Sequence, residues 1–317
     1  MTRWLRDKVV YCATWFGLRV MLLAFRILPR QWIFYFSDFL ARLGYYLFRG
    51  YRKRSVANAS AALGEPVDGR EVTAIVQRAL RNFFRACVEI GIALSASQEQ
   101  LRREIALSGC ERLDAALAKG RGVIVLSAHL GNFFLVGTRL AIEGYITHVL
   151  VNQPEDLRLA KLWDDCRSQA QLKTIHARPR REAFLKLNEV LRRNEVVVVI
   201  ADEYRSGSGI QVPLFGKTVI ARRGPVTLAL RTGAAIVPAC MVRQSDDSLE
   251  LDIEPELELE RSVRDQTRIR ENTVRITEWL EHRVRAHPDQ WNWLNLRWWS
   301  DINQDRNREH ESVPRSV

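Results

Sequence analysis

One stretch constrains the fold of this 317-residue chain more than any other: residues 121–140, RGVIVLSAHLGNFFLVGTRL. Residues 123–126 form a short apolar, β-branched run of the kind that makes a buried strand. The run stops at Ser127-Ala128, and His129-Leu130-Gly131-Asn132 then turns the chain into a second apolar segment that suits a helix. Strand, turn and helix in that order are the unit of an open α/β sheet. Such sheets hold their ligands outside the carboxyl ends of their strands. Position alone therefore makes His129 a candidate catalytic residue; a polar side chain in an ordinary turn is the competing reading.

Similar β-like runs recur at Thr147–Val151, 196–201, 236–240 and Leu249–Ile253, and helical stretches at 156–171, 180–193 and 226–232 separate most of them. The alternation predicts an α/β fold with a mainly parallel or mixed central sheet flanked by helices. An N-terminal apolar helical region precedes it. Residues 9–25 are apolar apart from Arg19 and about as long as the shortest membrane span, roughly 17 residues. A charge at mid-bilayer costs about 2.5–3.5 kcal/mol, so a helix lying in the interface competes with one that spans. Residues 31–49 are apolar most of the way round a helix, which suits deep packing or lipid. The basic cluster Arg49, Arg52, Lys53 and Arg54 follows at once and suits a headgroup layer. Residues 55–100 read as helical with a turn at Gly64-Glu65-Pro66. The expected division is membrane-associating helices at 1–50, an α/β domain at 51–300 and a polar tail at 301–317, frayed from 304 onward.

Charge narrows the partners. Lys and Arg number 48 against 37 Asp and Glu, a net +11, and there are nine Trp. Basic surface together with a residue that favours membrane–water interfaces fits an anionic lipid surface better than nucleic acid, for which no sequence signature occurs. The cysteines Cys12, Cys87, Cys110, Cys166 and Cys240 are odd in number and without a CxxC pair, which argues against a disulfide framework or a zinc site. His148, His176, His282, His287 and His310 lack metal-ligand spacing, so no metal and no cofactor is expected. Gly207-Ser208-Gly209 is too short for a nucleotide loop, and the missing GxSxG elbow disfavours a serine hydrolase.

Four stretches carry a resemblance: Ser127–Asn132 (SAHLGN), the region of Arg167, residues 201–239 with Asp202, PLFGK at 213–217 and RRGPVTLALRTGA at 222–234, and HPDQWNWLNLRWW at 287–299. With the stretch at 52–60 and the entry at 109–113, their order and spacing resemble the bacterial lysophospholipid acyltransferase superfamily, in its late lipid A acyltransferase branch. The resemblance implies an enzyme at the cytoplasmic face of the inner membrane. It would move a fatty acyl group from an acyl-carrier-protein or acyl-CoA thioester to a hydroxyl of an anionic lipid or glycolipid, without a cofactor. The family's active site is a His followed, after four residues, by an acid that orients it. Here His129 is present, but Phe134 stands at the acidic position.

Three consequences of that departure stay open. Asp202 or Glu203, which follow a neighbouring strand, can supply the missing catalytic carboxylate; His129 can act alone; or the chain is a catalytically impaired lipid-binding or scaffolding paralogue. Backbone N–H groups near Gly131-Asn132 are candidate donors to the oxyanion. Arg222 and Arg223, ahead of a helix start, suit phosphate. Asn132, Phe134, Arg167 and Lys217 complete the candidate substrate contacts. Trp291, Trp293, Trp298 and Trp299 read equally as an interfacial anchor or as a plug on the core.

Overall fold

The computed structural model describes residues 3–204, 209–261 and 266–298. Helices α1 (Arg3–Ile27), α2 (Arg30–Leu47), α3 (Arg49–Leu63), α4 (Arg70–Ser95) and α5 (Gln98–Glu104) come first. The alternating part then runs β1 (Ile105–Ser108), α6 (Cys110–Leu117), β2 (Val123–Ser127), α7 (Val136–Glu143), β3 (Thr147–Val151), α8 (Leu157–Gln169), β4 (Lys173–His176), α9 (Arg180–Arg192) and β5 (Val196–Ile200). A hairpin, β6 (Ile210–Leu214) and β7 (Lys217–Ala221), precedes α10 (Gly224–Thr232), β8 (Ala235–Arg243), β9 (Leu249–Ile253) and α11 (Gln266–Ala286). Two 3-10 turns, Pro288–Gln290 and Trp293–Asn295, close the described chain.

The main sheet has seven strands in the order β1-β9-β8-β2-β5-β3-β4, parallel except where β8 meets β9. This is the expected α/β class. Strand β2 lies at the centre, buried along its whole length, because helices cover both faces. Its side chains alternate between two cores. Ile124 and Leu126 share one with Val197, Val199 and residues of α9, α10 and α11; Val123 and Val125 share the other with Val196, Val198 and residues of α6 and α7.

Several elements were not marked by the hydrophobic pattern. Strands β1 and β4 have four residues each and sit at the two edges of the sheet, half wetted. Helix α11 is strongly charged, and only a narrow apolar stripe, with Ile276, Leu280 and Val284, reaches the core. The helix after the histidine turn starts at Val136, three residues later than its apolar segment.

Helix α2 settles how residues 31–49 are used. One face, with Ile33, Ser37, Ala41, Gly44 and Tyr45, packs on α4, while Trp32, Tyr35, Phe36, Phe39, Leu43, Tyr46 and Leu47 face outward. Helix α1 adds Val9, Val10, Trp15, Phe16, Val20, Leu23 and Ile27 to this exposed apolar surface. Among the described residues no helix is long and apolar enough to cross a membrane. The tail at 301–317, Trp299 and residues 207–208 lie outside the described residues.

Candidate active site

Strand register brings His129 and Asp202 together. Strands β2 and β5 are parallel neighbours with Ser127 opposite Ile200. The ladder continues one step further, where the Ala201 N–H donates to the Ser127 carbonyl at 2.9 Å. Two residues beyond each strand end, the same offset of 73 residues puts His129 beside Asp202. Adjacent strands run about 4.8 Å apart, which leaves side chains in register within bonding reach.

The Asp202 carboxylate is fully buried. Oδ1 lies 2.7 Å from His129 Nδ1; Oδ2 accepts from the His129 backbone N–H at 2.9 Å and from the Trp291 indole Nε1–H at 2.8 Å. Burial by itself would push this carboxyl up, but the His129 ring and the hydrogen bonds from His129 and Trp291 outweigh it and hold the group below its ordinary pKa of 3.8. An ionised carboxylate can only accept. The shared proton therefore belongs to Nδ1, and in the neutral ring Nε2 then carries the lone pair, which is the form a general base needs.

The turn around the histidine is tied down on both sides. His129 O accepts from Asn292 N at 3.0 Å, Gly131 N donates to Gln290 O at 2.9 Å, and Asn132 N donates to Met241 O at 2.9 Å. Gly131 has φ +59°, and a Cβ there would overlap the Met241 carbonyl oxygen, so only glycine fits. These bonds correct the oxyanion expectation. The N–H groups of Gly131 and Asn132 are both spent on carbonyls within the fold and do not form the hole.

The remaining candidates separate. Glu203 does not meet His129; its carboxylate pairs with Arg222 at 3.1 Å, because successive residues of an extended chain point to opposite sides. Arg223 is exposed immediately before α10. Arg167 corrects to a structural bracket: its guanidinium holds Asp164 at 2.7 Å and Thr174 at 3.0 Å, joining α8 to edge strand β4, three strands along the sheet from β2. The Lys217 ammonium lies 5.1 Å from the centre of the Trp298 ring. Asn132 is buried and donates its side-chain amide to Glu89 of α4 at 2.7 Å, so it faces the protein rather than a substrate.

Phe134 occupies the acid position in an aromatic row. Its ring centre lies 4.0 Å from that of Phe133 and 6.3 Å from that of Phe83, and Phe133 meets the His129 ring edge-on at 4.7 Å. A glutamate at 134 would place a charge against the apolar rings of Phe83 and Phe133 without adding a needed partner to His129. Phe134→Glu is expected to lower the transfer rate, on the order of tenfold (about 1.4 kcal/mol), rather than raise it, as steady-state kinetics on the purified variant would read.

The sequence marked Trp291 only as an anchor or a plug and did not single out Glu89 or Arg243, yet Trp291 bonds Asp202, Glu89 bonds Asn132, and Arg243 bonds Glu89. Trp291 and Trp293 are wholly buried and Trp298 is buried, which makes these three a plug on the core rather than an anchor, and a buried indole N–H calls for an acceptor, which for Trp291 is Asp202.

Known acyltransferases are similar to this chain over most of its length. The chain is 25% identical over 315 residues to the phosphatidylinositol mannoside acyltransferase of Mycobacterium tuberculosis H37Rv, covering 97% of this chain and 95% of the relative. It is 26% identical over 238 residues to the Mycolicibacterium smegmatis protein of the same name, covering 73% and 75%. Against the lipid A biosynthesis palmitoleoyltransferase of Escherichia coli K12 it is 24% identical over 293 residues, covering 90% and 91%. Residues 2–300 match the profile of the bacterial lipid A biosynthesis acyltransferases, and the chain belongs to that family.

Proposed function

We propose that this acyltransferase moves a fatty acyl group from a thioester of acyl-carrier protein or coenzyme A to a hydroxyl of an anionic glycolipid, of the lipid A precursor or phosphatidylinositol mannoside kind. The observation that carries the reading is the His129–Asp202 pair at the carboxyl ends of two central strands. In the reaction, Nε2 of His129 takes the proton of the acceptor hydroxyl as its oxygen attacks the thioester carbonyl. The C–O bond forms and the tetrahedral intermediate collapses with cleavage of C–S. The imidazolium then returns the proton to the departing thiolate. Asp202 holds the ring and offsets the positive charge it gains.

Glu203 thereby has no part in the proton transfer, and its pairing with Arg222 orients a guanidinium beside the site, where it and the exposed Arg223 are suited to a phosphate of donor or acceptor. The net charge of +11 favours approach of an acidic carrier protein and of anionic lipid. The outward apolar faces of α1 and α2, followed by Arg49, Arg52, Lys53 and Arg54 at the start of α3, suit docking on the cytoplasmic face of the membrane without a span. The rival reading, an impaired lipid-binding paralogue, drew on Phe134 alone, and the Asp202 contact weighs against it.

The test is direct. Purified protein in mixed micelles, offered labelled long-chain acyl-CoA or acyl-carrier protein with lipid A precursor or phosphatidylinositol mannoside, is expected to yield an acceptor heavier by one acyl group in mass spectrometry. No product from any pairing, with lipid still bound, would favour the paralogue.

A further inference from the structure

Helix α4 presents its inward stripe as Val72, Ile75, Val76 and Ala79, and the helical spacing then continues with Asn82, Arg85 and Glu89, where apolar residues are expected. Arg85 and Glu89 are buried and Asn82 is half-buried; Arg85 pairs with Asp38 and Asp247, while Asn82 and Glu89 enter one network. Glu89 Oε2 accepts from the Asn132 side chain at 2.7 Å and from Arg243 Nη2 at 2.9 Å, with the side chains of Glu89 and Arg243 only 2% and 6% exposed. Arg243 Nε also donates to Asn82 Oδ1 at 3.2 Å, and its backbone N–H and carbonyl both pair with the Gln290 side chain. Gln290 is the residue whose carbonyl receives the Gly131 N–H.

We infer that Glu89 is a positioning residue for the transfer reaction: through Asn132 it fixes the turn that aims His129, while Arg243 balances its charge. The inference rests on His129 being the base. Two features separate this arrangement from ordinary core structure. A buried ion pair is seldom more stable than the apolar side chains that could replace it. This one also leaves Glu89 Oε1 and Asn132 Oδ1 buried without hydrogen-bond partners among the described residues, which adds to its cost. The amide of Asn132 lies three residues from His129 on a turn whose backbone is already tied to β8 and to the 290–292 segment. The Glu89 contact fixes the one side of that turn facing α4. The site thus holds two buried carboxylates with separate tasks: Asp202 bears on the imidazole ring, Glu89 on the backbone that carries it.

The experiment uses the full-length chain in detergent with the variants Asn132→Ala, Glu89→Gln and the charge-neutral double replacement Glu89→Met with Arg243→Met. Three readouts are taken on each: kcat and KM for acyl transfer, thermal midpoint, and the rate at which diethyl pyrocarbonate modifies His129, followed by peptide mass spectrometry. The expected result is kcat lowered at least tenfold with KM within twofold, and His129 modified several times faster, in all three variants. Asn132→Ala keeps the buried ion pair, so it decides the matter if either Glu89 variant fails to fold. Wild-type kcat and His129 reactivity in Asn132→Ala or in the double variant would overturn the inference, as would a lower kcat with unchanged His129 reactivity. If the wild-type protein transfers no acyl group, the proposed function fails on its own account, and the His129 modification rates still decide for or against Glu89.

Discussion

Asp202→Asn is expected to lower kcat for acyl transfer by about 10³–10⁴-fold while leaving KM nearly unchanged, as in a serine protease whose triad aspartate is made an amide. The reason lies in the proton. Ionised Asp202 accepts from His129 Nδ1 and so directs the lone pair to Nε2. An asparagine amide can turn its NH₂ toward Nδ1, which reverses the tautomer and leaves Nε2 protonated, useless as a base. It can still accept from Trp291 and the His129 backbone, so the fold should survive. The same carboxylate bears on stability in acid. Its native pKa lies below 3.8, so the stabilisation is complete above the unfolded value and is lost as pH falls through the lower native one. The melting temperature of Asp202→Asn should therefore fall less steeply than that of the wild type as pH drops from 5 through that window.

Gly131→Ala has the second large effect, and it acts on the backbone. Alanine at φ +59° costs about 1–2 kcal/mol, and its Cβ would overlap the Met241 carbonyl, a backbone group with no rotamer to escape into. Relief requires the turn to move off β8, which breaks the Asn132–Met241 and Gly131–Gln290 hydrogen bonds, each worth about 0.5–1.5 kcal/mol. A loss of about 3–5 kcal/mol is expected in denaturant titrations, a large part of the 5–15 kcal/mol that holds a typical domain. In whatever remains folded, kcat should fall by about 10²-fold or more, since a misplacement of 1 Å at a catalytic group has that effect.

The central strand and its histidine were legible because both signals are local. An apolar β-branched run ends at Ser127, and the residue two places on must then lie at a strand's carboxyl end. The identity of the partner carboxylate was not local. Asp202 and Glu203 are equal candidates in one dimension, and only the register of β2 against β5, fixed by pairing across 73 residues, turns one toward His129 and the other toward Arg222. Arg167 misled for a similar reason: a basic residue in a last helical turn reads as available for phosphate until the neighbouring strand supplies Thr174. Trp291 was hidden by its type, since tryptophan serves an interface or a core equally well, and a buried hydrogen bond to a carboxylate leaves no trace in spacing. Glu89 did leave one. Asn82, Arg85 and Glu89 continue the inward stripe of α4 at helical intervals, with Arg85 and Glu89 buried, and polar residues on an inward face are a sequence signal for buried polar contacts.

A double-mutant cycle on His129 and Asp202 tests the central claim most directly, with kcat measured for the wild type, His129→Ala, Asp202→Asn and the combined variant. If base and carboxylate act as one unit, His129→Ala removes what Asp202 supports, and the combined variant will be no slower than His129→Ala alone. Effects that multiply, with the combined variant slower by the product of the two single losses, would contradict the pairing and place Asp202 outside the proton transfer.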